Sequence, residues 1–104
     1  MINNNYEDIL SKCEDLNYLN HFAEYLRETE YAILLLICGH TKYGRVPIHV
    51  VPSKLKDYWK SLGRPCHIKN VTFILNVALK KIAYHSLHVM FNQTTLDTNS
   101  LPSK

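Results

Sequence analysis

The apolar positions at the start of the chain repeat with the period of an α-helix. In residues 5–16 the apolar side chains fall at positions 6, 9, 10, 13 and 16, which share one helical face. The same spacing returns in residues 18–26, directly after Asn17, a residue type that caps helix N-termini. The pattern therefore predicts two N-terminal helices, the second of which ends near Glu28.

The apolar run at residues 31–38 fits either a buried strand or a buried helix, because periodicity does not separate the two. Thr29 before the run and Gly39 after it favour a helix, as a cap and a left-handed terminating residue. A turn-like segment and four β-branched residues that follow favour a hairpin instead: Val46, Ile48, Val50 and Val51. We predict a β-hairpin near residues 31–51, with a helix over residues 29–38 as the alternative.

Two further helices are predicted in the C-terminal half. Residues 53–62 place their apolar side chains on one face, between Ser53 as the cap and Gly63 as the terminating residue. Residues 70–91 form a longer helix that is apolar around almost its whole circumference. Five residues of these two helices are expected in the core: Leu55, Trp59, Ile74, Ala78 and Ile82.

These elements predict a mostly helical α+β fold: two N-terminal helices, a hairpin and two C-terminal helices. The alternative is an all-α fold. A chain of 104 residues has room for one continuous hydrophobic core. We therefore expect a single compact domain over residues 1–91, and a flexible C-terminal tail over the polar residues 92–104.

The net charge of +3 conceals a division along the chain. Residues 1–30 contain seven acids and two bases, a net charge of −5, whereas residues 31–104 contain ten bases and two acids, a net charge of +8. A local excess of cations attracts anionic partners, unless the acidic segment folds back and neutralises it. The sequence alone leaves that alternative open.

The basic segment leads us to expect a non-enzymatic nucleic-acid-binding protein that contacts the phosphate backbone of DNA or RNA. Tyr43, in a glycine-flanked turn, is the aromatic ring placed to stack on a base. Two helices joined by residues 63–69 resemble a helix-turn-helix in outline, although the joint is long for that motif. The expected contact residues are Lys42, Tyr43, Arg45, Lys54, Lys56, Lys60, Arg64, Lys69, Lys80 and Lys81.

The alternative function is a small protein-interaction subunit or a homodimer. The helix at residues 70–91 has more apolar surface than one small domain is expected to cover, and a partner protein or a second copy would bury the remainder. The acidic N-terminal helices would then face a basic partner.

The sequence offers few candidate catalytic or metal-binding residues. Catalytic loops and metalloprotease motifs are not found, so no catalytic residue and no cofactor is predicted. Zinc has a weak candidate set with poor spacing: Cys38, His40, Cys66 and His67. Three cysteines and an N-terminus without a secretory pattern favour an intracellular protein, cytoplasmic or nuclear, and no membrane contact is expected.

Overall fold

The described part of the chain folds mainly into α-helices. A computed structural model describes residues 4–64 and 70–98, and the side chains of residues 6–64 and 70–86. Within these ranges it contains five α-helices, two 3₁₀ helices and no strand. The α-helices are α1 (Asn4–Lys12), α2 (Leu16–His21), α3 (Glu28–Ile37), α4 (Val51–Ser61) and α5 (Val71–Thr98); the 3₁₀ helices are Ala23–Tyr25 and Ile48–Val50.

The two predicted N-terminal helices are confirmed as α1 and α2, although α2 ends at His21 and not near Glu28, where α3 begins. The predicted cap, Asn17, lies inside α2, and the observed cap is Asp15. The Oδ1 atom of Asp15 accepts a hydrogen bond from the backbone N–H of Asn17 at 2.9 Å. Aspartate satisfies the first free N–H groups of a helix as well as asparagine does, so the sequence offered two equivalent starts.

The predicted hairpin near residues 31–51 is wrong, because α3 occupies residues that we assigned to its first strand. The helical alternative is confirmed, and its end follows the sequence signal. Gly39 adopts φ +82°, and the N–H of His40 donates to the carbonyl oxygen of Leu35 at 2.9 Å. This pattern is the Schellman motif, which closes a helix by satisfying its last carbonyl groups.

The β-branched residues that suggested the second strand pack in the core or against it instead. Val46 is buried, and its N–H donates to the carbonyl oxygen of Leu36 at 3.0 Å. Ile48 begins a 3₁₀ helix, and Val51 begins α4, with Pro52 in the first turn. Proline is favoured there because the first helical N–H groups have no intrahelical partner. Burial of these side chains outweighs their preference for extended backbone.

The boundaries at the joint between α4 and α5 follow sequence signals. Gly63 adopts φ +72° at the end of α4, as predicted, and the N–H of Arg64 donates to the carbonyl oxygen of Trp59 at 2.9 Å. Near the start of α5, Asn70 Oδ1 accepts from the N–H of Phe73 at 3.0 Å. Helix α5 continues to Thr98. Residues 99–104 lie outside the described part of the chain, and the flexible tail at residues 92–104 stays a prediction.

Helix α3 is the centre of the packing, since it contacts both α4 and α5, and α5 also contacts α1. Its buried side chains include Ile33, Leu34 and Leu36, which point in different directions around the helix. Four of the five predicted core residues are buried: Leu55, Trp59, Ala78 and Ile82. The fifth, Ile74, is half-buried and packs against the edge of this core.

Candidate functional site

Two of the arginines predicted to contact nucleic acid are held by acids from the N-terminal segment. Arg45 Nη1 lies 2.9 Å from Glu14 Oε2. Arg64 binds both carboxylate oxygens of Glu28, with Nη2 at 2.7 Å from Oε1. These hydrogen bonds lower the pKa of Glu14 and of Glu28 below the ordinary carboxyl value. Both pairs are exposed, so they neutralise charge more than they stabilise the fold.

Arg64 also connects two parts of the fold. Its guanidinium carbon lies 5.2 Å from the centre of the Trp59 ring, within the range of a cation–π contact. The same group pairs with Glu28 in the first turn of α3. Arg64 is therefore engaged on an aromatic face and on a carboxylate at once.

Lys81 is neutralised by a buried acid. Its Nζ atom lies 2.8 Å and 3.0 Å from the two carboxylate oxygens of Glu30, which is 5% exposed. The backbone N–H of Arg27 donates to the same carboxylate at 2.8 Å. A carboxylate that is removed from water needs such partners, because an unpaired buried charge is strongly destabilising.

A second group of predicted contact residues keeps its charge available. Within the described ranges, no carboxylate lies within ion-pairing distance of Lys42, Lys54, Lys56, Lys60 or Lys80. Lys56, Lys60 and Lys80 are exposed; on the α4 wheel Lys60 lies opposite the buried face, and Lys56 lies on the flank away from Lys54. Lys69 lies outside the described residues.

Two of these lysines lie against the ring of Tyr43. The Nζ atoms of Lys42 and Lys54 lie 5.4 Å and 5.3 Å from the centre of its ring. The ring itself is half-buried and packs against the core, so it is less available for stacking than a fully exposed ring. It contributes by holding a lysine of the 38–47 turn beside a lysine of α4.

Among the described residues, no group of three histidine, cysteine, aspartate or glutamate side chains is placed to hold a metal ion, and the weak zinc set stays a prediction because two of its members are not described. Cys38 is buried, and burial raises the pKa of its thiol to about 11. The ring of His40 contacts the carbonyl oxygen of Cys13 through Nε2 at 2.9 Å. Cys66 and His67 lie outside the described part of the chain.

Sequence reasoning missed a groove between the first turn of α3 and the first half of α5. It has a volume of about 530 Å³, and both Arg27 and Glu30 line it. The carboxylate at residue 30 is visible in the sequence, but Arg27 is not a capping residue type, and the predicted cap, Thr29, lies inside the helix that begins at Glu28. Helix α5 also leaves two aromatic side chains largely exposed, Phe73 at 63% and Tyr84 at 65%.

Comparison with known proteins adds no assignment: no protein-family model, curated protein or solved structure matches this chain. Among the described helices, none combines the length and apolarity needed to span a bilayer. The charged and apolar surfaces above are therefore the basis for a functional proposal.

Proposed function

We propose that the protein binds nucleic acid without catalysis, through the lysines that the acidic segment leaves unpaired. The proposal rests on one observation: the acids neutralise some of the basic side chains and leave others unpaired. Among the described side chains, Arg45, Arg64 and Lys81 are paired with acids, whereas no lysine of α4 or of the 38–47 turn is. These lysines form what we call the lysine surface: Lys42, Lys54, Lys56 and Lys60.

The lysine surface covers a flank and the outer face of α4. Lys54 lies on the flank that meets the turn, where Tyr43 holds it beside Lys42. Lys60 lies on the outer face and Lys56 lies one turn before it, toward the flank away from Lys54; Asp57, the one acid in this helix, lies between Lys54 and Lys60. Flexible lysines suit contacts with phosphates, which require charge more than a fixed fork geometry. The surface therefore favours backbone binding over base recognition.

A salt titration tests the proposal. Fluorescein-labelled single- and double-stranded DNA and RNA are titrated with the protein at several salt concentrations, with anisotropy as the readout. For duplex DNA, each phosphate contact contributes about 0.9 to the slope of log affinity against log salt concentration. Lys56→Gln/Lys60→Gln should lower that slope by about 2 and weaken binding to all sequences alike.

Lys12→Gln is the matched control, because Lys12 is an exposed lysine of α1 that already pairs with Asp8 at 3.5 Å. It removes one positive charge far along the sequence from the lysine surface and should leave the slope unchanged. Absence of binding at low salt would overturn the proposal. So would an equal loss per charge in the control and in the α4 variants.

A second candidate function, a protein-interaction subunit or homodimer, is favoured by the exposed aromatics of α5. Phe73, Val77 and Tyr84 fall within a narrow sector of the helical wheel, and Phe73 and Tyr84 are mostly exposed. Large exposed apolar side chains on one face are typical of interfaces. Sedimentation velocity over a range of protein concentrations distinguishes this candidate, because a dimer should dissociate in Phe73→Ser, whereas a concentration-independent monomer contradicts self-association.

A further inference from the structure

The groove between α3 and α5 has apolar walls and a polar end. Phe73, Ile74 and Val77 of α5 form the apolar part. Arg27, Thr29 and Glu30 contribute from the start of α3, and Lys81 completes the lining. The volume of about 530 Å³ falls in the range of 300–1,000 Å³ that is typical of small-molecule sites.

The charges in the groove are not balanced. Lys81 is bound by Glu30, and both are satisfied within the pair. Arg27 is exposed, and no carboxylate among the described side chains lies within ion-pairing distance of its guanidinium. The groove therefore contains two cations and one carboxylate, and the unpaired cation is Arg27.

The start of α3 combines the free backbone N–H groups of a helix N-terminus with two acids in its first turn, Glu28 and Glu30. Arg27 is the residue that precedes the helix, and its side chain has donors but no acceptor, so it cannot cap the first N–H groups. These groups carry the positive end of the helix dipole. Glu30 binds the backbone N–H of Arg27 itself and leaves the Arg27 guanidinium available.

We propose that this groove binds a small amphiphilic anion, whose apolar chain or ring lies against Phe73, Ile74 and Val77 and whose carboxylate or sulfonate binds Arg27. The combination matches the general design of a ligand site, in which apolar walls supply affinity and one charged group fixes orientation. A guanidinium binds a carboxylate through two parallel hydrogen bonds, which gives a preference for an anionic head over a neutral one. This site is separate from the lysine surface.

Two probes test the ligand class. The fluorescence of 8-anilinonaphthalene-1-sulfonate, an aromatic anion, should rise saturably with the protein, and octanoate and octan-1-ol should then compete with it. Octanoate should displace the probe at a concentration about tenfold lower than octan-1-ol, which is the fold-change expected for one charge-assisted hydrogen-bonded contact. Equal potency of the two competitors, or no saturable fluorescence, would overturn the proposal.

Substitutions in the groove test where the ligand binds. Arg27→Gln should remove the preference for octanoate and leave the affinity for octan-1-ol unchanged. Lys12→Gln makes the same change in net charge and should keep the preference intact. Val77→Trp fills the groove and should weaken both competitors and the probe by about tenfold or more. Retention of full probe binding in Val77→Trp would show that the probe binds elsewhere, and would overturn the assignment.

A second variant in the groove wall serves as the control for an effect on folding. Phe73 is largely exposed, so Phe73→Ser removes groove surface without opening the core. It should weaken octanoate and octan-1-ol alike, while the helical circular dichroism and the thermal midpoint stay at the wild-type values. Loss of nucleic-acid binding in this variant would not be expected, and the two proposals therefore succeed or fail independently.

Discussion

Lys81 is 51 residues from Glu30 in the sequence, yet its Nζ atom lies 2.8 Å and 3.0 Å from the two carboxylate oxygens of Glu30. The pair joins the first turn of α3 to the middle of α5, at the edge of the core. Glu30 is buried, whereas the Lys81 side chain is partly exposed. The acid consequently depends on the lysine more than the lysine depends on the acid.

Removal of Lys81 should therefore destabilise the protein. Lys81→Met leaves the Glu30 carboxylate with the N–H of Arg27 as its remaining described partner. Loss of one partner of a buried pair costs about 3–5 kcal/mol, and we expect about 2 kcal/mol here because Lys81 is partly exposed. Urea denaturation measures the change. Glu30→Gln/Lys81→Met should recover most of the loss, and a single variant as stable as the wild type would contradict the prediction.

The exposed ion pairs predict a pH dependence at acidic pH. Hydrogen bonds from Arg45 lower the pKa of Glu14 below its ordinary value of 4.5 in the folded protein. A carboxylate with a lowered pKa stabilises the fold above its unfolded pKa, and that contribution is lost as the pH falls through the folded pKa. An NMR titration of Glu14 should show a midpoint below 4.5 in the wild type. In Arg45→Gln the midpoint should return toward the ordinary value; an unchanged midpoint would exclude Arg45 as the cause.

The glycines that end α3 and α4 should differ in their tolerance of alanine. Gly39 and Gly63 adopt φ +82° and +72°, where a Cβ atom costs about 1–2 kcal/mol. At Gly39 the added Cβ would also lie 3.1 Å from Cγ of Arg45, whereas nothing lies within 4 Å at Gly63. Thermal or urea unfolding should rank Gly39→Ala as the more destabilising substitution. The reverse order would show that the Arg45 side chain moves away freely.

The buried thiols should resist alkylation. Burial, with a smaller contribution from the nearby Cys38, raises the pKa of Cys13 to about 12, and burial raises the pKa of Cys38 to about 11. The thiolate is the reactive form, so both react slowly at neutral pH while the protein is folded. In Cys66→Ser, iodoacetamide should modify neither thiol until urea unfolds the chain, as followed by mass spectrometry. Rapid modification of the folded protein would contradict the buried placement.

The sequence predicted where α3 and α4 end but not where the helices begin, because the predicted caps Asn17, Thr29 and Ser53 lie inside α2, α3 and α4. Gly39 and Gly63 mark helix ends, and the apolar spacing of α4 places Leu55 and Trp59 in the core, because these signals act over one or two helical turns. The hairpin was wrong because a continuous apolar run does not distinguish a buried strand from a buried helix. The packing of Val46 against the core overrode its strand preference.

The candidate sites were harder to predict, because their defining contacts are distant in sequence. Glu14 and Arg45 are 31 residues apart, and Glu28 and Arg64 are 36 apart. The charge division along the chain showed that acids of the N-terminal segment could pair with the basic segment. It did not show which lysines and arginines they would pair with. The groove at Arg27 is likewise formed by two helices that have no shared sequence signal.

Helix α3 buries side chains around much of its circumference and contacts both α4 and α5. A helix with so little polar surface depends for its stability on packing against its neighbours. Its amide protons should therefore exchange with solvent through opening of the whole molecule, at rates that report the global free energy of unfolding. We expect local fraying at α1 or at the exposed turns, whereas α3 should open only when the domain unfolds.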